Sequence, residues 1–172
     1  EADFKAPIRF GDVLEVELAP PSLQTRFQCE NRVIRSPEWR LVGALTATEV
    51  LQYCSYAPSI LHGPKKSVEP AALAALPPHC WTSLELRRVA NASFLPDPRK
   101  PQRWLVEFPI AGLFGPRLAL KLTDPNATAT LNAGGTLHAQ CLLTLSLTVP
   151  IAFPQYQLPE LCYKLAAGVI PL

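Results

Sequence analysis

From Leu137 to Phe153 the sequence keeps a strict period of two. The odd positions are Leu137, Ala139, Cys141, Leu143, Leu145, Leu147, Val149, Ile151 and Phe153, all apolar, whereas His138, Gln140, Thr144, Ser146 and Thr148 occupy most of the even ones. Successive side chains of a strand point to opposite faces, so this pattern predicts a long antiparallel strand with one buried face. It also excludes the obvious alternative for an apolar stretch. A membrane-spanning helix needs ~20 apolar residues in succession and would not hold polar groups in register on alternate residues. The chain is therefore expected not to be transmembrane itself.

Shorter patterns fill in around that strand. Leu14, Val16 and Leu18 alternate with Glu15 and Glu17 ahead of Pro20-Pro21, and Phe27, Cys29 and Val33 alternate with Gln28, Glu30 and Arg32. These are two early strand candidates, the first also readable as an extended arm. From Thr46 to Leu61 the period changes: Val50, Leu51 and Cys54 stand at helical spacing behind a Thr46 or Thr48 N-cap, and His62-Gly63-Pro64 ends the helix. Val68 to Leu76, with Pro70 in its first turn, predicts a second short helix closed by Pro77-Pro78. Strands are expected over Trp81 to Val89, Trp104 to Ile110 and Leu118 to Thr123, then a turn at Asp124-Pro125-Asn126 into an extended Ala127 to Leu131. Asn132-Ala133-Gly134-Gly135 has the composition of a hairpin turn into the long strand. Beyond Pro159, Leu161, Leu165 and Val169 stand four apart and predict a C-terminal helix over Glu160 to Val169, with Glu160 complementing its dipole.

The chain's 172 residues suffice for one core, and 17% charged residues against a usual ~25% imply an apolar surface. A net charge of only +2 gives no sign of the concentrated basic face that nucleic acid requires, so no nucleic-acid partner is expected. Residues 1–18 hold five acids (Glu1, Asp3, Asp12, Glu15, Glu17) against Lys5 and Arg9. The expected organisation is an extended acidic arm over residues 1–24 and a single domain over 25–172. Five cysteines (Cys29, Cys54, Cys80, Cys141, Cys162) make an odd number with no C-x-x-C pair, which reads as buried thiols in a reducing compartment. The sequons Asn91-Ala-Ser and Asn126-Ala-Thr carry the competing, secreted reading. With no Met and Glu1 in first place, a targeting segment is expected to be absent from the chain.

Nothing in the sequence announces chemistry. Gly63-Pro64-Lys65-Lys66-Ser67 imitates the end of a phosphate-binding loop but lacks the first glycine, and Pro64 removes a backbone donor. His62, His79 and His138 stand at no paired metal-ligand spacing, and Glu85, Glu107 and Glu160 fall on outward or helix-start positions. The expectation is a non-enzyme with no catalytic residue, no cofactor and no metal.

The order of elements, strand, two short helices, a run of antiparallel strands and a last helix, resembles the helix-grip pattern of the START and polyketide-cyclase superfamily. Thr48 to Leu172 is similar to a domain of unknown function in cyanobacterial and plastid proteins placed in that superfamily. The similarity rests on Gln52-Tyr53, Pro58 and Leu61, on Val68-Glu69 and Leu76 before the strand entry at Pro77 to Leu86, and on the last third. There it includes Gly135, Thr136, Leu137, Ala139, Leu143, Leu145, Leu147, Val149-Pro150, Phe153, Pro159, Leu161 and Gly168. It departs at His138 and Val169. The resemblance implies an α+β fold in which a curved antiparallel sheet wraps the C-terminal helix. It also implies a plastid location, thylakoid-associated and on the stromal side, with protein subunits of a photosynthetic membrane complex such as a photosystem as partners.

Two functions of different kind follow. In the first, the protein is a non-catalytic accessory or assembly subunit docking through Phe4, Phe10 and Leu14 of the arm and through Phe94, Leu95, Phe114 and Tyr156 at loop tips. In the second, a sheet-helix cavity lined by Leu84, Leu86, Val106, Phe108, Leu120, Leu143, Leu145, Leu147 and Leu161 carries a lipid, pigment or other apolar molecule. A packed core is the simpler reading of that lining, because its residues are large enough to fill the space.

Overall fold

The computed structural model describes residues 8–20, 27, 28, 30–110 and 115–172, with backbone alone at Pro37, Ala47 and Tyr156. Strand β1 (Asp12–Leu18) pairs antiparallel with β2 (Ile34–Ala44) in a ribbon of its own. A five-residue helix, α1 (Ala47–Leu51), follows behind a capping box in which Thr46 and Glu49 satisfy each other's backbone N–H groups. Then come β3 (Ser67–Val68) and α2 (Pro70–Ala74), the latter opened by Pro70.

The rest of the chain builds a barrel. Its strands are β4 (Leu84–Val89), β5 (Ser93–Asp97), β6 (Lys100–Pro109), β7 (Arg117–Leu122), β8 (Cys141–Leu147), β9 (Ile151–Phe153) and β10 (Leu158–Pro171), with helix α3 (Pro125–Asn132) between β7 and β8. The pairing order is β4-β8-β10-β7-β6-β5. Its two ends, β4 and β5, are successive segments of one strand, bent at Asn91, whose φ is 60°. A sheet that starts and ends on the same bent strand closes on itself. Counting that strand once, β4/β5, β6, β7, β8 and β10 are the five staves. All contacts are antiparallel except β7 with β10, where Lys121 lies beside Leu165 and Leu122 beside Ala166. The first part of β10 pairs instead with β3 and β9.

The interior follows from the alternation. Val106 and Phe108 from β6, Leu118, Leu120 and Leu122 from β7, and Cys141, Leu143, Leu145 and Leu147 from β8 form one buried cluster. Helix α3 contributes Ala127 and Leu131, while Phe27, Ile60, Leu61 and Leu73 reach the same cluster from the N-terminal half. Phe27 sits edge-on to Trp81 with ring centroids 5.1 Å apart. A second, small cluster outside the barrel packs Val50 and Cys54 on Leu142.

Several expectations are corrected here. Glu160 to Val169 is strand, not helix, and with it the α+β helix-grip with a sheet wrapped on a C-terminal helix is overturned. Leu161, Leu165 and Val169 do recur four apart, but the buried residues are Cys162, Lys164 and Ala166, at 0%, 2% and 0% exposure. Because that inward face is a thiol, a lysine amine and a methyl, its period of two is invisible to hydrophobicity. Ala127 to Leu131 is the body of α3. Asp124 caps it by accepting from the backbone N–H groups of Asn126 and Ala127. The supposed hairpin turn is that helix's end, with Gly134 left-handed at φ 79°. The first helix stops at Leu51 rather than Leu61, and Phe27 is a core residue at φ 68° rather than part of a strand. The long strand breaks after Leu147, so Ile151–Phe153 forms the separate β9. No helix among the described residues is long and apolar enough to cross a membrane.

Candidate functional site

Because Trp104, Val106, Phe108 and Leu118, Leu120, Leu122 turn inward, the opposite residues of β6 and β7 form the barrel's outer face. Register aligns Leu95, Leu105 and Lys121 across β5, β6 and β7. Arg103 lies next along β6, Lys100 opens that strand opposite Asp97, and Arg99 stands in the turn before it. These cations are exposed, and among the described residues none of Arg99, Lys100, Arg103 and Lys121 has a carboxylate partner.

The neighbouring charges are already committed. Arg117 is 3.3 Å from Glu107 and also donates to the carbonyl of Asn91 and the hydroxyl of Ser93. Asp97 accepts from the backbone N–H of Arg99. The Asp124 carboxylate is spent on Asn126, Ala127 and the N–H of Val169. A cleft of about 460 Å³ runs from Gln102, Arg103 and Lys121 to Thr128 and Asn132 of α3. On its wall Trp104 donates its indole N–H to Asn132 at 2.8 Å, which fixes the ring against the helix.

A second cleft, about 370 Å³, lies beside β4 and includes Tyr53, Ser59, His62, Cys80 and Glu85. His62 accepts from the backbone N–H of Thr82 at 3.1 Å through Nε2, so that nitrogen is not aimed at a nucleophile. Among the described residues no three His, Cys, Asp or Glu side chains come together as a metal site. Cys54, Cys80, Cys141 and Cys162 are free thiols. Burial pushes the Cys141 thiol up to about 11 and raises those of Cys54 and Cys162. Cys29 lies outside the described residues.

The residues singled out from sequence do not form one site. Phe10 and Leu95 are exposed, Leu14 is half-buried on β1, and Phe94 is half-buried against the barrel core. Phe4 and Phe114 lie outside the described residues, as does the side chain of Tyr156. Of the supposed cavity lining, Val106, Phe108, Leu120, Leu143, Leu145 and Leu147 do come together, fully buried and packed on one another. Leu86 is corrected to the small cluster outside the barrel, Leu84 is half exposed, and Leu161 is half-buried on β10. Arg99, Lys100, Arg103 and Lys121 were not singled out. The run Arg99-Lys100-Pro101-Gln102-Arg103-Trp104 carried a basic and aromatic signal, but Lys121 joins it only through strand register.

Residues 2–169 match the family model described as the dual OB-containing domain. The chain belongs to the dual OB-containing domain family. A five-stranded Greek-key barrel is the OB architecture, and residues 84–171 build one, with β4/β5, β6, β7, β8 and β10 as its first to fifth strands. The family match overturns the resemblance to a START-like, polyketide-cyclase domain. The photosystem, chloroplast and thylakoid associations drawn from that resemblance lose their ground with it. No curated protein matches the chain, and no solved structure does.

Proposed function

We propose that this protein is a non-catalytic binding module that holds single-stranded nucleic acid along the outer face of β6 and β7. The observation that carries this reading is the group of four cations, Arg99, Lys100, Arg103 and Lys121, that have no carboxylate partner among the described residues. It lies on the second and third barrel strands and the loop before them, a surface by which OB barrels take oligonucleotides and oligosaccharides. Guanidinium and ammonium groups suit phosphates, whereas a neutral sugar would leave four charges unanswered. The expectation of no nucleic-acid partner rested on the net charge, which averages over cations that the barrel gathers on one side.

The test is fluorescence anisotropy with a labelled oligothymidine. If four phosphates are neutralised, log K should fall with log salt at a slope of about −3. Arg103→Glu with Lys121→Glu should weaken binding at least tenfold at 50 mM salt, and Lys65→Glu, in the loop before β3, should not. Absence of binding at low salt, or equal loss in the Lys65 variant, refutes the reading.

A second reading, docking on protein subunits of a larger complex, is favoured by the β1-β2 ribbon. Two-stranded ribbons are marginal alone, and this one leaves Val33, Leu41 and Val42 at 65%, 61% and 51% exposure. Under that reading, co-sedimentation with the complex in native extract survives reversal of Arg103 and Lys121 but not Leu41→Asp with Val42→Asp.

A further inference from the structure

Lys164 is 2% exposed, and its Nζ donates to the carbonyls of Ile60 and Gly63. On β4, Glu85 and Arg87 form an ion pair at 2.7 Å with side chains 7% and 10% exposed. Arg87 also donates to the carbonyl of Ala57 at 2.7 Å, and Glu85 accepts from the backbone N–H of Leu61 at 3.0 Å. Three buried ionisable side chains on two barrel strands thus direct hydrogen bonds to one segment, residues 57–63. That segment delivers Ile60 and Leu61 into the barrel core, at 0% and 3% exposure. It does so through left-handed backbone at Leu61 and His62, with φ 39° and 73°. Such conformations in residues with side chains persist only where the surroundings hold them.

The bonding is arithmetically suited to a neutral amine. A deprotonated lysine has two N–H groups, and two carbonyls receive them. An ammonium has a third proton, which has no partner among the described residues, and its nearest acid, Glu85, is already paired with Arg87.

We propose that residues 57–63 are a displaceable plug in the barrel mouth, and that protonation of Lys164 drives the plug open. Burial lowers Lys164 from 10.5 to about 8, against an opposing pull from Glu85. Opening hydrates the ammonium and restores its ordinary value. Between the two values the open state holds a proton that the closed state has released, so each pH unit gained favours closure about tenfold. Glu85 and Arg87 face Lys164 from β4, His62 lies in the plug, and Cys162 precedes it on the same face of β10. Glu30 reaches the neighbouring Ser83 N–H; β8 contributes only Cys141, which lies opposite Pro171 at the far end of the strand from Lys164, and α2 contributes no titratable group. Burial raises the Cys162 thiol. At Glu30 burial is outweighed by hydrogen bonds that hold the carboxyl low, so neither group changes charge near pH 8.

Native-state hydrogen exchange tests this, with the Leu61 amide as reporter and the α3 amides of Thr128 and Ala133 as controls. Intrinsic exchange rises about tenfold per pH unit, so falling plug opening should hold the Leu61 rate nearly flat from pH 8 to 10 while the controls rise. Leu61 should also exchange faster than the β8 amides, and His62→Gln should leave its profile flat. In Lys164→Met the Leu61 rate should rise tenfold per unit. If that variant does not fold, the wild-type profile decides. A wild-type Leu61 rate that climbs with the controls, one no faster than β8, or a flat profile lost in His62→Gln overturns the proposal.

Discussion

Asp124 joins two parts of the barrel that are far apart in sequence, and replacing it by alanine measures that joint. One carboxylate oxygen accepts from Asn126 and Ala127 at 2.9 and 3.1 Å, capping α3, and the other accepts from Val169 of β10 at 2.8 Å. Loss of an N-cap costs about 1 kcal/mol. Leaving the half-buried Val169 N–H without a partner costs about 1–2 kcal/mol more. Asp124→Ala should therefore destabilise by about 2–3 kcal/mol, and at 2–4 °C per kcal/mol for a domain of this size Tm should fall by roughly 5–10 °C. Asp124→Asn keeps the capping oxygen and disturbs only the bond to β10, so about half the loss should return. Urea titration checks this through the midpoint at unchanged m. A cost below about 0.5 kcal/mol for the alanine variant would refute the idea that the carboxylate ties α3 to β10.

Leu145, fully buried at the centre of β8, should cost about 2–5 kcal/mol on replacement by alanine in the same titration. Cys141, buried with its thiol raised to about 11, should resist an aromatic disulfide reagent at pH 8 until the protein is unfolded, whereas exposed Cys80 should react at once.

The barrel was legible where its inward face is aliphatic. Leu118, Leu120 and Leu122 on β7 and Leu143, Leu145 and Leu147 on β8 alternate with polar neighbours, and the structure turns all of them into the core. It was not legible where the inward face is chemically mixed. The alternate residues of β10 are Cys162, Lys164 and Ala166, and a bulge between Ala166 and Gly168 brings Val169 round to the core, so the only visible rhythm was the four-residue spacing of Leu161, Leu165 and Val169, which imitates a helix. Once that strand is taken for a helix, the parallel contact with β7 disappears and with it the closure of the barrel. Helix α3 was missed for a local reason. Its eight residues include Thr128 and Thr130, poor helix formers, and what holds it is the Asp124 cap and its packing through Ala127 and Leu131. The candidate site is a property of register. Lys121 approaches Arg103 only because β6 and β7 pair with Leu105 opposite Lys121, and no spacing along the chain encodes that.

The pairing of β7 with β10 decides between a closed OB barrel and an open sheet carrying a terminal helix, and a nuclear Overhauser spectrum reads it directly. A closed barrel predicts parallel-strand contacts between Lys121 and Leu165 and between Leu122 and Ala166, with extended-chain sequential contacts throughout Glu160 to Val169. Sequential amide–amide contacts and i to i+3 contacts along Glu160 to Val169, with no cross-peaks to Lys121 or Leu122, would contradict it.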